Sequence, residues 1–422
     1  MAAALNVVEP CSTGIGGDAF ALYYSASTRE VSCYMGNGSA PEALTLELLD
    51  SRGIGVNKEP LSQFSGLCVT VPGAAALWED LVKAHGALPL QTVLAPAVEL
   101  AENGFVLGPV TARQWANGRI AEAIVEAAAA FGGVLGMTDL QSHRTVKTSP
   151  SSVVYKGHRI HETPPPTHGL AALLAMNIME ELCPDGSAAE AGERQRGSVQ
   201  QAHLGIEAMR LAFADALQFV SDPAKTSVPE ESLLSKAYAQ HRAASIRANG
   251  DRSNDHVEAG NPLDVEPFQT SETVYFCVVD SMGNGCSMIN SNYHGFGTGI
   301  VPRGCGFTLQ NRGQNFSLDP SHPNAVAPFK KPYHTIIPAL VTRESDGSLF
   351  STMGVMGGFM QPQGHLQVLR NMIDFGMDPQ AALDAPRWYV AHVGDTQSPA
   401  DVQRSLVVIE QGYGGRWDGG GD

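Results

Sequence analysis

Positive charge is what this 422-residue chain has least of for its size: 27 Lys and Arg stand against 43 Asp and Glu, a formal net charge of −16. A surface of that sign repels phosphate backbones and anionic headgroups, which excludes nucleic-acid and membrane-surface partners. Small anionic substrates stay open, because one buried arginine can hold a carboxylate inside an acidic shell. No Cys-x-x-Cys pair and no His-Glu-x-x-His occurs, so no metal site is expected. The seven cysteines (Cys11, Cys33, Cys68, Cys183, Cys277, Cys286, Cys305) are odd in number and scattered, against a disulfide framework. Cys33, Cys68 and Cys277 lie in apolar runs and read as small buried hydrophobes. No apolar run approaches the length needed to span a bilayer. Residues 1–10 lack a basic n-region and a full h-region, so they are not read as a signal peptide, and the chain as written is expected in the cytoplasm.

What is present is the balance of a soluble globular protein, 43% apolar and 17% charged, with 45 glycines and 26 prolines that call for many turns. Residues 2–8 read as the end of a helix. Residues 18–24 and 30–35 are β-prone runs around a short turn, a hairpin signature. Leu77, Trp78, Leu81 and Val82 trace a helical face that Gly86 ends. The stretch 186–197 is small, polar and charged and reads as a surface loop. Ile206, Met209, Phe213, Leu217 and Val220 recur every three or four residues, predicting a helix over 201–220 that Asp222-Pro223 stops. Residues 250–270 are polar and irregular, like an exposed linker. Residues 273–280 then open a buried-strand run, a turn follows at 282–285, and a second strand covers 286–291. Residues 336–342 and 349–354 form another hairpin. A helix over 361–375 follows, and Asp378-Pro379 caps a short one. Hairpins at both ends with helices between predict an antiparallel sheet system covered by helices, an α+β fold without βαβ repeats. The Gly-rich final residues are expected to be disordered.

Three motifs carry possible chemistry. Residues 14–19 fit a loose G-x-G-x-x-A dinucleotide fingerprint, but a strand rather than a helix follows, so a glycine turn into a strand is the preferred reading over a nicotinamide site. Gly357 and Gly358 sit at a strand-to-helix junction. There, free N–H groups and the helix N-terminus can form an oxyanion hole, and a plain tight turn is the competing reading. Thr273 opens a strand directly after a flexible stretch ending in Glu272. On its own that is β-propensity. Cutting the Glu272–Thr273 bond would free an α-amine, titrating near ~8, that can act as base to the threonine hydroxyl.

Residues 7–10 with 12–17 (VVEP, STGIGG) resemble the large-subunit signature of the gamma-glutamyltranspeptidases, and residues 273–280 with Gly283-Asn284 resemble the start of that family's small subunit. Residues 296–300, Asn315-Phe316-Ser317 and Gly357-Gly358 follow in family order, and the wording of 290–335 is closer to the branch that includes cephalosporin acylases. The resemblance implies an N-terminal-nucleophile hydrolase with a four-layer αββα sandwich and two stacked antiparallel sheets. It implies self-cleavage by Thr273 at Glu272, giving a large subunit 1–272 and a small subunit 273–422 from one precursor. It also implies acyl transfer through Thr273, with Gly357 and Gly358 holding the oxyanion and Ser291 bonded to the nucleophile. Water would give hydrolysis, and an amino acid or peptide would give transpeptidation; no cofactor is needed.

The recognition shell departs from the family pattern. No arginine stands in residues 37–41, where the family places the one that pairs with the substrate α-carboxylate. The acid that binds the α-amine is replaced by Asn315, and a serine pair by His334-Thr335. Asn315, His334 and Thr335 are therefore expected at the substrate, with His334 equally readable as a hydrogen-bonded pocket histidine. The expected substrate is a small-molecule amide, a gamma-glutamyl compound such as glutathione or a relative such as a glutaryl amide. The resemblance also implies segments before Ala2 and beyond residue 410 that the chain as written lacks, so an uncleaved pseudoenzyme is the alternative. Oligomeric state is left open.

Overall fold

The computed structural model describes residues 1–56, 58–101, 118–184, 197–248, 271–392 and 405–413. The expected loop at 186–197, the linker at 250–270 and the disordered C-terminal tail lie almost wholly outside them.

The expected hairpins form. Strands β1 (Asp18–Ser25) and β2 (Glu30–Gly36) pair antiparallel, Ala19 opposite Gly36. β3 (Val146–Thr148) extends the sheet beyond β2, while β7 (Gly285–His294) and then β6 (Ser271–Val279) extend it on the other side, giving the order β3-β2-β1-β7-β6. A second antiparallel sheet has the order β4-β5-β8-β9, from β4 (Ser151–Tyr155), β5 (His158–Glu162), β8 (Ala339–Arg343) and β9 (Leu349–Met353). A two-stranded ribbon joins β10 (Trp388–His392) to β11 (Ser405–Ile409).

Three apolar cores separate four layers. Between the sheets lie Phe20, Leu22, Tyr24, Cys33, Met35, Ile289, Ile336 and Leu340. Side chains such as Phe20 and Leu22, fully removed from water, each stabilise the stack by about 2 kcal/mol. The outer face of the five-stranded sheet packs on the helices Ala74–His85 and Arg119–Ala130 through Leu77, Trp78, Ile120 and Ile124. The four-stranded sheet is covered by Gly169–Leu182, Val199–Phe219 and Met360–Ile373. This is the expected αββα sandwich.

Boundaries moved by a few residues. The helix expected over 201–220 starts at Val199 because Ser198 caps it, its hydroxyl accepting from the Gln201 N–H. Asp378 caps Pro379–Asp384 in the same way. Residues 336–338, expected in a strand, precede β8. The Gly169–Leu182 helix was not foreseen: nearly all of its residues are buried, so it has no polar face to reveal a period. Cys277 was expected to be buried and is exposed, since β6 is the edge of its sheet and the strand emerges into solvent after Phe276. No described helix is long and apolar enough to cross a membrane.

Candidate active site

Thr273 is fully buried in β6, which runs unbroken through Ser271 and Glu272 into it. The pairing slips at this point. Glu272 lies opposite Tyr293 and Val274 opposite Asn290, so Ser291 and Asn292 together face Thr273. Such a bulge re-aims side chains, and Tyr293 takes the left-handed region at φ 81° to make it. The Thr273 hydroxyl points at Ser291 Oγ, 3.4 Å away, and Ser291 Oγ also accepts from the Tyr293 N–H at 2.9 Å. Ser291 is itself fully buried within β7.

Two loops hold the bulge. The glycine turn before β1 is drawn against it. A Cβ on Gly17 would fall 2.3 Å from the Ser291 carbonyl oxygen, and Asn290 Nδ2 donates to Thr13 Oγ1 at 2.7 Å. Residues 14–19 are thus a tight turn entering a strand, as preferred above, and the glycine is there for close approach. From the other side Asn311 clasps His294, its Oδ1 accepting from the His294 N–H at 3.2 Å and its Nδ2 lying 2.8 Å from the imidazole Nδ1.

Arg312, next in that loop, is 0% exposed. Its Nη1 donates to Thr335 Oγ1 at 2.8 Å and its Nη2 to Ser291 Oγ at 3.3 Å, while its guanidinium stacks 4.5 Å from the centre of the Tyr293 ring. Burial pushes its pKa down to about 10, which leaves it charged at neutral pH. Asp18 lies behind it. Its carboxylate accepts from Gln310 Nε2 at 2.9 Å, from the Gly38 N–H at 3.2 Å and from His334 Nε2 at 3.0 Å. Burial raises the Asp18 pKa to about 6, with Arg312 opposing. His334 is held well below its ordinary value by burial and by Arg312, so it is neutral, donating through Nε2 to an ionised Asp18 near pH 7.

Gly357 and Gly358 follow β9, at φ 107° and 55°, angles that favour glycine. Their carbonyls accept from Met360 and Gln361 at the start of the next helix, and neither N–H donates to a described residue. The loop is anchored to the strand that carries Thr273: Tyr275 packs on Gly354, and Ser287 Oγ bridges the Tyr275 hydroxyl and the Met353 carbonyl.

The structure thus brings Thr273, Ser291 and Thr335 into one buried cluster with Arg312, and His334 joins it through Asp18. Asn315 stands apart. It is half-buried at the end of the Arg312–Asn315 turn, its carbonyl accepts from Asn324 Nδ2 at 2.6 Å, and it makes no described hydrogen bond to the cluster. The sequence singles out Asn315 but not Arg312 in this stretch, and marks Asp18 only as the start of a β-prone run. A lone arginine in a polar loop carries no periodic signal; only the fold shows that this loop is buried. No group of three metal-ligating side chains occurs among the described residues.

The family model for gamma-glutamyltranspeptidase matches residues 1–117 and 116–408. The glutathione hydrolase-like YwrD proenzyme of Bacillus subtilis (strain 168) is 30% identical over 92% of this chain and 79% of its own. The oxamate amidohydrolase proenzyme of Klebsiella pneumoniae is 29% identical over 92% of this chain and 79% of its own. Among solved structures, a cephalosporin acylase from Bacillus halodurans superposes with a TM-score of 0.78 at 36% identity, covering 98% of this chain and 80% of that one. The fold, the order of the motifs and these matches agree: the chain belongs to the gamma-glutamyltranspeptidase family.

Proposed function

We propose that this chain is the precursor of a threonine amidohydrolase that cuts itself before Thr273 and then splits small amides, gamma-glutamyl compounds or relatives such as glutaryl amides. The observation that carries the reading is the placement of Thr273. A hydroxyl is buried at a bulge, paired with a second hydroxyl, beside a guanidinium and directly after a peptide bond it can attack. The names of the relatives, a glutathione hydrolase-like protein, an amidohydrolase and an acylase, all describe amide cleavage, and two of them are called proenzymes.

In self-processing, Thr273 Oγ attacks the Glu272 carbonyl carbon. The C–N bond breaks, the hydroxyl proton passes to the departing nitrogen, and an ester joins Glu272 to Thr273. Water then opens the ester, leaving the Glu272 carboxylate and a free α-amine on Thr273. That amine serves as base in turnover. It takes the hydroxyl proton as Oγ attacks the substrate amide and gives it to the leaving amine. Water resolves the acyl-enzyme in hydrolysis, and an amine acceptor resolves it in transpeptidation. The Gly357 and Gly358 N–H groups, free of described partners, are the candidates for holding the tetrahedral oxyanion. Ser291 orients the nucleophile, and residues 1–272 and 273–422 are the two subunits.

Intact-mass analysis tests this first. Two fragments meeting between Glu272 and Thr273 are expected from the wild type, and one uncut, inactive chain from Thr273→Ala. A wild type that stays whole, or amidase turnover retained in Thr273→Ala, would sink the mechanism and favour the pseudoenzyme reading.

A further inference from the structure

We propose that Arg312 is the receptor for a carboxylate on the acyl half of the substrate, so that the preferred substrates are amides of short dicarboxylic acids. This rests on the reading of Thr273 as the nucleophile and narrows it.

A guanidinium presents five donors, and those of Arg312 are unevenly used. Nη1 is satisfied by Thr335 at 2.8 Å, Nη2 makes only a long contact of 3.3 Å to Ser291, and Nε has no partner although it is fully buried. The Nε–Nη2 edge, which matches two carboxylate oxygens side by side, is therefore the unsatisfied one. Among the described residues no carboxylate reaches ion-pair distance of Arg312; Asp18 acts on it through space but gives its oxygens to His334, Gln310 and Gly38. A buried cation whose acid acts only through space is costly unless something fills its open edge. The other cation near Asp18, Lys331, already donates to Asn37 Oδ1.

Reach and access follow from the same contacts. Ser291 Oγ touches both Arg312 and Thr273, so a carboxylate on the open edge lies one hydroxyl from the nucleophile, and the spacer to the scissile carbonyl must be short. In the precursor both groups are fully buried. The strand above them includes Ser271 and Glu272, paired with His294 and Tyr293, and Arg312 stacks on that Tyr293 ring. Cleavage before Thr273 ends the covalent hold on those two residues, and their departure opens the way to the hydroxyl and the guanidinium together.

The test compares succinyl- and glutaryl-p-nitroanilide with their neutral methyl esters on the self-cleaved enzyme. The acids should exceed the esters in kcat/KM by about tenfold or more, as one charge-assisted pair implies, chiefly through KM. That ratio should fall to about one in Arg312→Gln, recover in part in Arg312→Lys, and survive Lys331→Met. If Arg312→Gln does not mature, Arg312→Lys decides, since it keeps the charge but loses the two-pronged edge: a smaller ratio supports the assignment and an unchanged one overturns it. A cut, active wild type indifferent to the carboxylate, or a ratio abolished by Lys331→Met instead, overturns the inference alone. A wild type that stays uncut or splits none of the four anilides overturns the nucleophile reading, and this inference with it.

Discussion

Two buried carboxylate–histidine pairs stand in this fold, and they keep different company. Asp18 on β1 meets His334 at 3.0 Å, and Glu162 at the end of β5 meets His365 at 2.7 Å. All four side chains are essentially inaccessible, and burial pushes both carboxyls above their ordinary values. Asp18 is surrounded by donors: Gln310, the Gly38 N–H, and Arg312 and Lys331 acting through space. Glu162 has only His365, and its second oxygen and the far imidazole nitrogen are without described partners. The first pair is a charged network beside Thr273; the second is a lone hydrogen bond between sheet and helix. Burial alone does not mark a functional group. The number and sign of the groups arranged around it do.

The largest effect should come from breaking the richer pair. An amide at position 18 has one acceptor where the carboxylate had two, and it removes the one carboxylate among the described residues that acts on Arg312. Asp18→Asn is expected to lose about 3 kcal/mol of stability, the usual cost of leaving a buried charge uncompensated, and to lose self-cleavage. Urea denaturation and intact mass would check this. A variant as stable as the wild type that still cuts itself would mean the network is not holding the site.

Acid should sharpen the contrast next. Burial lowers His143, His161 and His294 to about 4, and holds His168 and His334 well below 6.5. Below pH 6.5 the unfolded chain takes up protons on these histidines that the folded chain refuses, so each removes about 1.4 kcal/mol per pH unit as pH falls. Asp18, raised to about 6, works the opposite way: its folded form binds the extra proton between about 4 and 6, and Glu162 shifts in the same sense. The histidines outnumber the two acids, so stability should decline from pH 6.5 to 5. Denaturation midpoints that rise over that interval would show the histidines to be charged in the fold.

The same contrast explains what could be read from the sequence. The hairpins at 18–36 and at β6–β7 were legible because alternation and turn residues are local. Thr273 was singled out only by the resemblance of 273–280 to the family's small-subunit start, since a polar stretch meeting a strand is by itself β-propensity. The Gly169–Leu182 helix hid because it is buried all round. Cys277 misled because an apolar run does not say whether its strand is central or an edge. Arg312 and Asp18 lie 294 positions apart and meet only once β1 and β7 pair and the 310–316 loop folds over the bulge. Ser291 and Thr335 were reached through motif order, and their common partner was not.

The smallest change should come from the poorer pair. A glutamine has the shape of the glutamate side chain and can hydrogen-bond to His365 Nδ1 in its place. Burial raises Glu162 and its one described side-chain partner is His365, so Glu162→Gln keeps the shape and the single hydrogen bond. The expected cost is about 1 kcal/mol or less, the range of an ordinary hydrogen bond, with self-cleavage at the wild-type rate. The unpaired second oxygen becomes an unpaired amide or carbonyl, so the count of unsatisfied groups does not rise. A loss comparable to that of Asp18→Asn would show that the fold depends on the Glu162 carboxylate as much as on that of Asp18. The two pairs would then be alike in kind, and proximity to Thr273 alone would separate site from scaffold.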